Sequence, residues 1–437
     1  MDATTLLTNT GGLLLRSVKK GSVILLPFYF LFIFSNLYLG SYKAIGTYSL
    51  RVPLALLVLF SIFFLSKITK PPKIIIFLFP LLFLFSSFLS TIFNGEDLWE
   101  FIVNIVLANF SLTLILVLAT LVLVPINMPM KKLLIFLALA LSLNAVFIIG
   151  KYYDIKIFWT IANYFSAEDI FGDSVYSLFE LRRKIYGIAN TVYSGYLLAV
   201  ALPFSLFIYH TLSNKILGIA LILVNSIAAV LLQQRLAFIL IIFSLIFFSK
   251  SSGRGVSKKL LLFLLLAALY FVFQYFIFTH LDIYGLQSRL INLEDHSRIT
   301  ILHNAIEYCV DNPVWGGIDN FIRHNNGVKP HFIIFDAWIR GGMIGLLSMS
   351  IFLIIFINRT LRIILFKTNM EKGHTLWFVS LATFNILIMS LTHNAGLTSG
   401  DQLTYLLVTM FLIDRSRASI NQKSIKQQYS YEKGLLN

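Results

Sequence analysis

The chain has 437 residues, 58% of them hydrophobic and only 13% charged, with a mean hydropathy of +0.82. A soluble domain carries roughly a quarter charged residues, so this composition argues against a water-surrounded globule and for an all-α polytopic membrane protein. The net charge of +15 raises the question of nucleic acid, and the placement of the charges answers it.

In chain order, apolar runs predict about twelve transmembrane helices. They lie at 23–39, 52–66, 73–93, 99–125, 133–150, 190–210, 216–232, 236–248, 260–279, 332–357, 375–392 and 402–414, in one integral membrane domain over 1–437. An even number puts both termini on one side. The short loops of that side hold well over half of the 35 Lys and Arg residues, among them Lys19, Lys20, Lys131, Lys132, Lys258 and Lys259. This positive-inside bias places both termini in the cytoplasm. The excess charge therefore orients the protein in membrane lipid and calls for no nucleic acid. The single cysteine, Cys309, leaves no intrachain disulfide and no cysteine metal cluster. The first apolar run leads into "NLYLGSYKA" and another span, which does not read as a cleaved signal peptide.

Two connections on the outer face are too long to be turns, one over 151–189 and one over 280–331. Loops of this length usually carry function. The first ends in "FELRRKIYGIANTVYSGYLLAV", where Arg182 and Arg183 stand on the outer side against the general charge bias, and Asn190 and Tyr193 lead into the sixth span. Asn190 is placed to cap that helix. Snorkelling beside a helix end is the plainer reading of the arginines. Next, "LLQQRLAFIL" puts Arg235 at the outer surface between two apolar runs. Turn chemistry explains the polar residues, and a planar guanidinium at this level also suits a diphosphate.

The second loop contains Ile299, Leu302, Ile306 and Cys309 at helical spacing, which predicts an amphipathic helix over 297–310 with Ser297 or Asp295 at its start. "DNPVWGG" stops it. Arg298 falls in its first turn, where unpaired N–H groups favour anions; a lipid-surface helix is the alternative. His331 then follows Pro330 at the mouth of the tenth span, a position that an interfacial anchor would also occupy. Asp336 and Arg340 are spaced i, i+4 for an ion pair, and Gly341 and Gly345 form a small-xxx-small face for close helix packing. Charges inside a span are costly and normally face a polar cavity.

Four segments, "RRKIYGIANTVYSGYLL", "QQRLAFIL", "DHSRITILHNAIEYCVDNPVWGGIDNF" and "HFIIFDAWIRGGMIGLL", occur in this order over about 180–345. Together they resemble the O-antigen ligase and O-antigen polymerase superfamily of bacterial envelope glycosyltransferases. The residue after the histidine, often small and polar in that family, is Phe332 here. The resemblance implies a GT-C-like fold in the bacterial inner membrane and an active site facing the periplasm. It implies glycan transfer from an undecaprenyl-diphosphate-linked donor to an acceptor hydroxyl, with no metal and no other cofactor. The acceptor is lipid A–core for a ligase, the slightly preferred reading, or a lipid-linked glycan for a polymerase. Carried over by position, His331 is the general base and Arg235 and Arg298 bind the diphosphate. Arg182, Arg183, Asn190, Tyr193, Asp336 and Arg340 are expected around the substrates.

Two other classes compete. A transporter or flippase would place ionisable groups near the membrane midplane, but spans one to nine hold no Asp or Glu well inside. A structural scaffold leaves the basic residues of the second outer loop without a purpose.

Overall fold

The computed structural model describes residues 74–102, 130–165, 187–188, 194–212, 215–232, 235–251, 296–325, 330, 332–366, 375–392 and 407–415. The spans expected at 23–39, 52–66 and 260–279, and most of that at 99–125, lie outside them. Among the described residues the secondary structure is helical, with no strand. A 3-10 turn, Ile74–Phe77, leads into α1 (Leu78–Phe93). Then come α2 (Met130–Tyr152), α3 (Lys156–Phe165), α4 (Ser194–Thr211), α5 (Ile216–Leu232) and α6 (Arg235–Ser251). The remaining helices are α7 (His296–Asp311), α8 (Ile318–His324), α9 (Ile333–Phe366), α10 (Thr375–Thr392) and α11 (407–415).

Two stretches, Met130–Tyr152 and Ile333–Leu365, are long and apolar enough to cross a membrane, with mean hydropathy 2.6 and 2.1. Leu78–Phe93, Ile216–Leu232 and Thr375–Leu391 are as apolar but shorter. α4 is the hub of the bundle and packs on α2, α5, α6 and α10, while α1 lies along α9, which also meets α10. Small polar residues are turned into these contacts. Ser86, Ser87, Ser90 and Thr91 of α1 are buried, whereas Phe85, Ile92 and Phe93 on the same helix are exposed. Water does not favour that distribution. Helix pairs surrounded by lipid associate through close packing of small residues and interhelical hydrogen bonds. Asn225 of α5 shows the second device, donating from Nδ2 to Ser142 Oγ of α2 at 2.7 Å and to its own Leu221 carbonyl at 2.7 Å.

Pro203 stands inside α4. A proline in a helix has no N–H to give the carbonyl four residues back, here that of Ala199. Asn385 of α10 supplies the missing donor, its Nδ2 lying 2.8 Å from Ala199 O and 2.9 Å from Ser244 Oγ of α6. One amide thus satisfies the break and ties three helices together.

Candidate active site

The feature that organises the end of the molecule formed by α7, α8 and the start of α9 is a break in α9. Gly342 has φ 59 and ψ −156, a backbone conformation inside the helix that is not helical. That region of backbone space is essentially open only to glycine. Helical hydrogen bonding cannot pass through it, so the groups freed on either side need partners. The Asn312–Gly317 segment provides them. Gly317 N–H donates to Ile339 O at 2.7 Å, and Met343 N–H donates to Val314 O at 3.3 Å. The Trp338 indole donates to Pro313 O at 3.0 Å. Glycines make the approach possible: a Cβ on Gly342 would land on the Val314 carbonyl, and one on Gly316 on the Ile339 carbonyl. Trp315 stacks on Phe93 of α1 with ring centroids 4.0 Å apart. The sequence "DNPVWGG", which ends α7, is therefore also a plug that fills the interruption in α9.

This latch fixes α7 and α8 to the N-terminal part of α9. Ala305 and Cys309 of α7, Ile318 and Phe321 of α8, and Ile339 of α9 form a small core of their own, with Tyr308, Phe335 and Trp338 around it. The Tyr308 hydroxyl donates to Gly317 O at 2.7 Å, and Asn304 Nδ2 donates to Asn325 Oδ1 at 2.7 Å. Burial pushes the Tyr308 hydroxyl and the Cys309 thiol each up to about 12, so both stay protonated. The helix expected over 297–310 is present as His296–Asp311, but its inward face is rotated. Ile306 is 43% exposed, and the contact surface runs through Ala305 and Cys309. Small side chains sit there because α9 approaches closely, which the apolar pattern alone does not reveal.

Asp336 and Arg340 pair as their spacing predicts. Arg340 Nε donates to both carboxylate oxygens of Asp336 at 3.0 Å, with Asp336 fully buried. They lie in α9 on the N-terminal side of the break. Gly341 faces Ser86 and Ser87 of α1, and Gly345 faces Ser86, so the small-xxx-small face packs on the serine face of α1. Glu96, just beyond α1, accepts the Asp319 N–H at 2.9 Å on Oε1 and so caps the first turn of α8. Burial holds the Glu96 carboxyl above the usual carboxylate range, against the lowering pull of the Asp319 amide and, more weakly, of Arg340.

Arg235 is the first residue of α6, and Arg298 lies in the first turn of α7, where backbone N–H groups have no helical partner. His331, Arg182, Arg183, Asn190 and Tyr193 lie outside the described residues. Pro330 is buried and Phe332 half-buried on either side of position 331, and Phe332 O accepts the Asp336 N–H at 2.8 Å as the helix begins. Among the described side chains, then, the expected site residues brought together are Asp336 and Arg340. Glu96 and Tyr308 join the same end of the molecule without having been singled out in the sequence. The only signal for Glu96 was an acidic residue in a short outer connection. Among the described residues, no three His, Cys, Asp or Glu side chains gather to hold a metal ion. Neither a family model nor a curated protein sequence matches the chain.

Proposed function

We propose that the chain is a polytopic glycosyltransferase of the bacterial inner membrane, with about twelve spans, both termini in the cytoplasm and its active site facing the periplasm. It transfers an O-antigen-type glycan from undecaprenyl diphosphate to a hydroxyl of lipid A–core. The observation that carries the reading is the latch. Through the 2.7 Å bond from Gly317 N–H to Ile339 O, the helix that begins around Arg298 is held against the helix entered from His331. The shared core of α7, α8 and α9 supports this reading, in which His331 serves as base and the start of α7 binds the anion.

In this mechanism the His331 imidazole takes the proton from the acceptor hydroxyl, a task suited to a group with an ordinary pKa of about 6.5. The acceptor oxygen attacks the anomeric carbon of the donor sugar. The bond from that carbon to the diphosphate oxygen breaks, and the electron pair leaves on the diphosphate. Arg235 and Arg298 stabilise the leaving charge, each contributing on the order of 3 kcal/mol to the barrier, as fixed donors do elsewhere. Arg182, Arg183, Asn190 and Tyr193 hold the glycan end of the donor. The Asp336–Arg340 pair holds the segment that follows the base in its helical form.

The test is transfer by purified protein in lipid vesicles supplied with lipid-linked glycan and lipid A–core, read on a lipopolysaccharide gel. His331→Ala is expected to abolish transfer while the protein still inserts, and retained transfer by that variant overturns the assignment. A product carrying a single repeat in a strain lacking the gene marks the chain as a polymerase instead. Loss of polymer from the core, with lipid-linked polymer retained, marks a ligase.

A further inference from the structure

Gly187 and Ile188 belong to the segment that carries Arg182, Arg183, Asn190 and Tyr193, and both are buried. The peptide unit between them is gripped at both ends by α2. Lys151 Nζ donates to the Gly187 carbonyl at 2.7 Å, and the Ile188 N–H donates to Asn144 Oδ1 at 3.0 Å. In a trans peptide these two groups point in opposite directions, so the pair of contacts fixes the orientation of the whole peptide plane. Positions 144 and 151 are two helical turns apart and lie on one face of α2. Gly187 is required for the fit, because a Cβ there would land on the Asn144 carboxamide oxygen.

The choice of residues is not explained by packing. Lys151 is fully buried and Asn144 is 1% exposed. Burying an ammonium is costly unless it is hydrogen-bonded, and an apolar side chain would fill the space at no such cost. Around Lys151 Nζ lie the Gly187 carbonyl, the Trp159 ring 5.3 Å away and the C-terminal end of α2. What this expensive arrangement secures is the orientation of the 187–188 peptide.

We propose that Lys151 and Asn144 are positioning residues for donor binding, and that they act by holding the 187–188 peptide from both sides. The inference rests on the proposed glycosyl transfer. Neither residue touches the reacting atoms.

The experiment measures initial transfer rates against donor concentration for the full chain in nanodiscs. Lys151→Met and Asn144→Leu are each expected to raise KM for the lipid-linked donor about tenfold, the order expected when one charge-assisted or buried hydrogen bond is lost. kcat should stay within about twofold, since the acceptor base is not involved. Lys151→Gln keeps an N–H donor and Asn144→Asp keeps the acceptor oxygen; both should bring KM back to within about threefold of the unaltered chain. A merely structural role predicts instead a lowered thermal midpoint with KM unmoved. An active unaltered chain whose KM is unchanged in Lys151→Met and Asn144→Leu, or whose kcat falls instead, overturns the inference and leaves the transfer activity standing. No transfer by the unaltered chain overturns the activity itself. Should Lys151→Met fail to accumulate, Asn144→Leu and its Asp counterpart decide the matter.

Discussion

Gly342→Ala offers the most direct check on how α7 and α8 are joined to α9. Position 342 has φ 59 and ψ −156, and a Cβ there meets the Val314 backbone carbonyl. Forcing a side chain into that backbone region costs about 1–3 kcal/mol, and overpacking against backbone adds about 1–3 kcal/mol more. The latch is held by two backbone bonds, Gly317 N–H to Ile339 O and Met343 N–H to Val314 O. Each contributes about 1 kcal/mol net. The cheapest relief is therefore to release the plug, not to unfold the helices below it. Hydrogen–deuterium exchange of the protein in nanodiscs should show faster exchange across 312–318 and at Met343, with α4 and α10 unchanged. Transfer activity should fall in parallel, because α7 loses its seat. Gly341→Ala is the control: its Cβ meets the movable Ser86 hydroxyl at 2.5 Å and needs no unusual backbone angle. Unchanged exchange over 312–318 in Gly342→Ala, or an equal response in Gly341→Ala, refutes the reasoning.

Other consequences are equally open to measurement. Asn385→Leu leaves the Ala199 carbonyl without the donor that Pro203 denies it, which costs about 1–3 kcal/mol; adding Pro203→Ala restores a backbone donor, and the double variant should melt above Asn385→Leu alone. Asp336→Asn removes one half of a buried ion pair in which Arg340 is 11% exposed and should destabilise by about 3–5 kcal/mol, while Asp336→Leu with Arg340→Met should recover much of that, as read from thermal midpoints in one detergent. Glu96 binds its proton more tightly when α8 is docked than when it is free. Its contribution is therefore complete below the ordinary carboxylate range and is lost as pH rises through the raised folded value. Glu96→Gln should flatten the fall in thermal midpoint as pH rises above the ordinary carboxylate range, and an unchanged pH slope contradicts the assignment. Cys309, buried with its thiol held up to about 12, should resist maleimide until denaturant is added.

Helix positions were legible at several apolar runs, though the helix expected over 332–357 continues to Phe366. Ile216–Leu232 and Thr375–Thr392 match the runs at 216–232 and 375–392, and the amphipathic pattern at 297–310 became His296–Asp311. The Asp336–Arg340 pair was readable because i, i+4 contacts are local. What escaped was non-local. Three glycines stand close together at 341, 342 and 345, and sequence gives no reason for the middle one to break the helix, since its partner Val314 lies in another loop. Glu96 and Asp319 are 223 residues apart. Lys151 looked like the first residue of a loop, yet it is fully buried, because the acceptor that draws it inward is a backbone carbonyl and every residue type carries one.

The interruption at Gly342 also bears on how the protein tolerates its surroundings. A continuous rod from residue 333 to residue 366 would swing its far end whenever the bilayer thickened or thinned and the rod tilted to match. With the joint at 342 anchored to Val314 and Gly317, tilt of the lower portion is absorbed at a single residue. Of the nine residues above the joint, Phe335, Trp338 and Ile339 pack with α7 and α8, Gly341 lies against α1, and Ile333 and Ala337 join the main core. On the proposed reading, the site carried by α7 and the start of α9 is in this way insulated from changes in bilayer thickness.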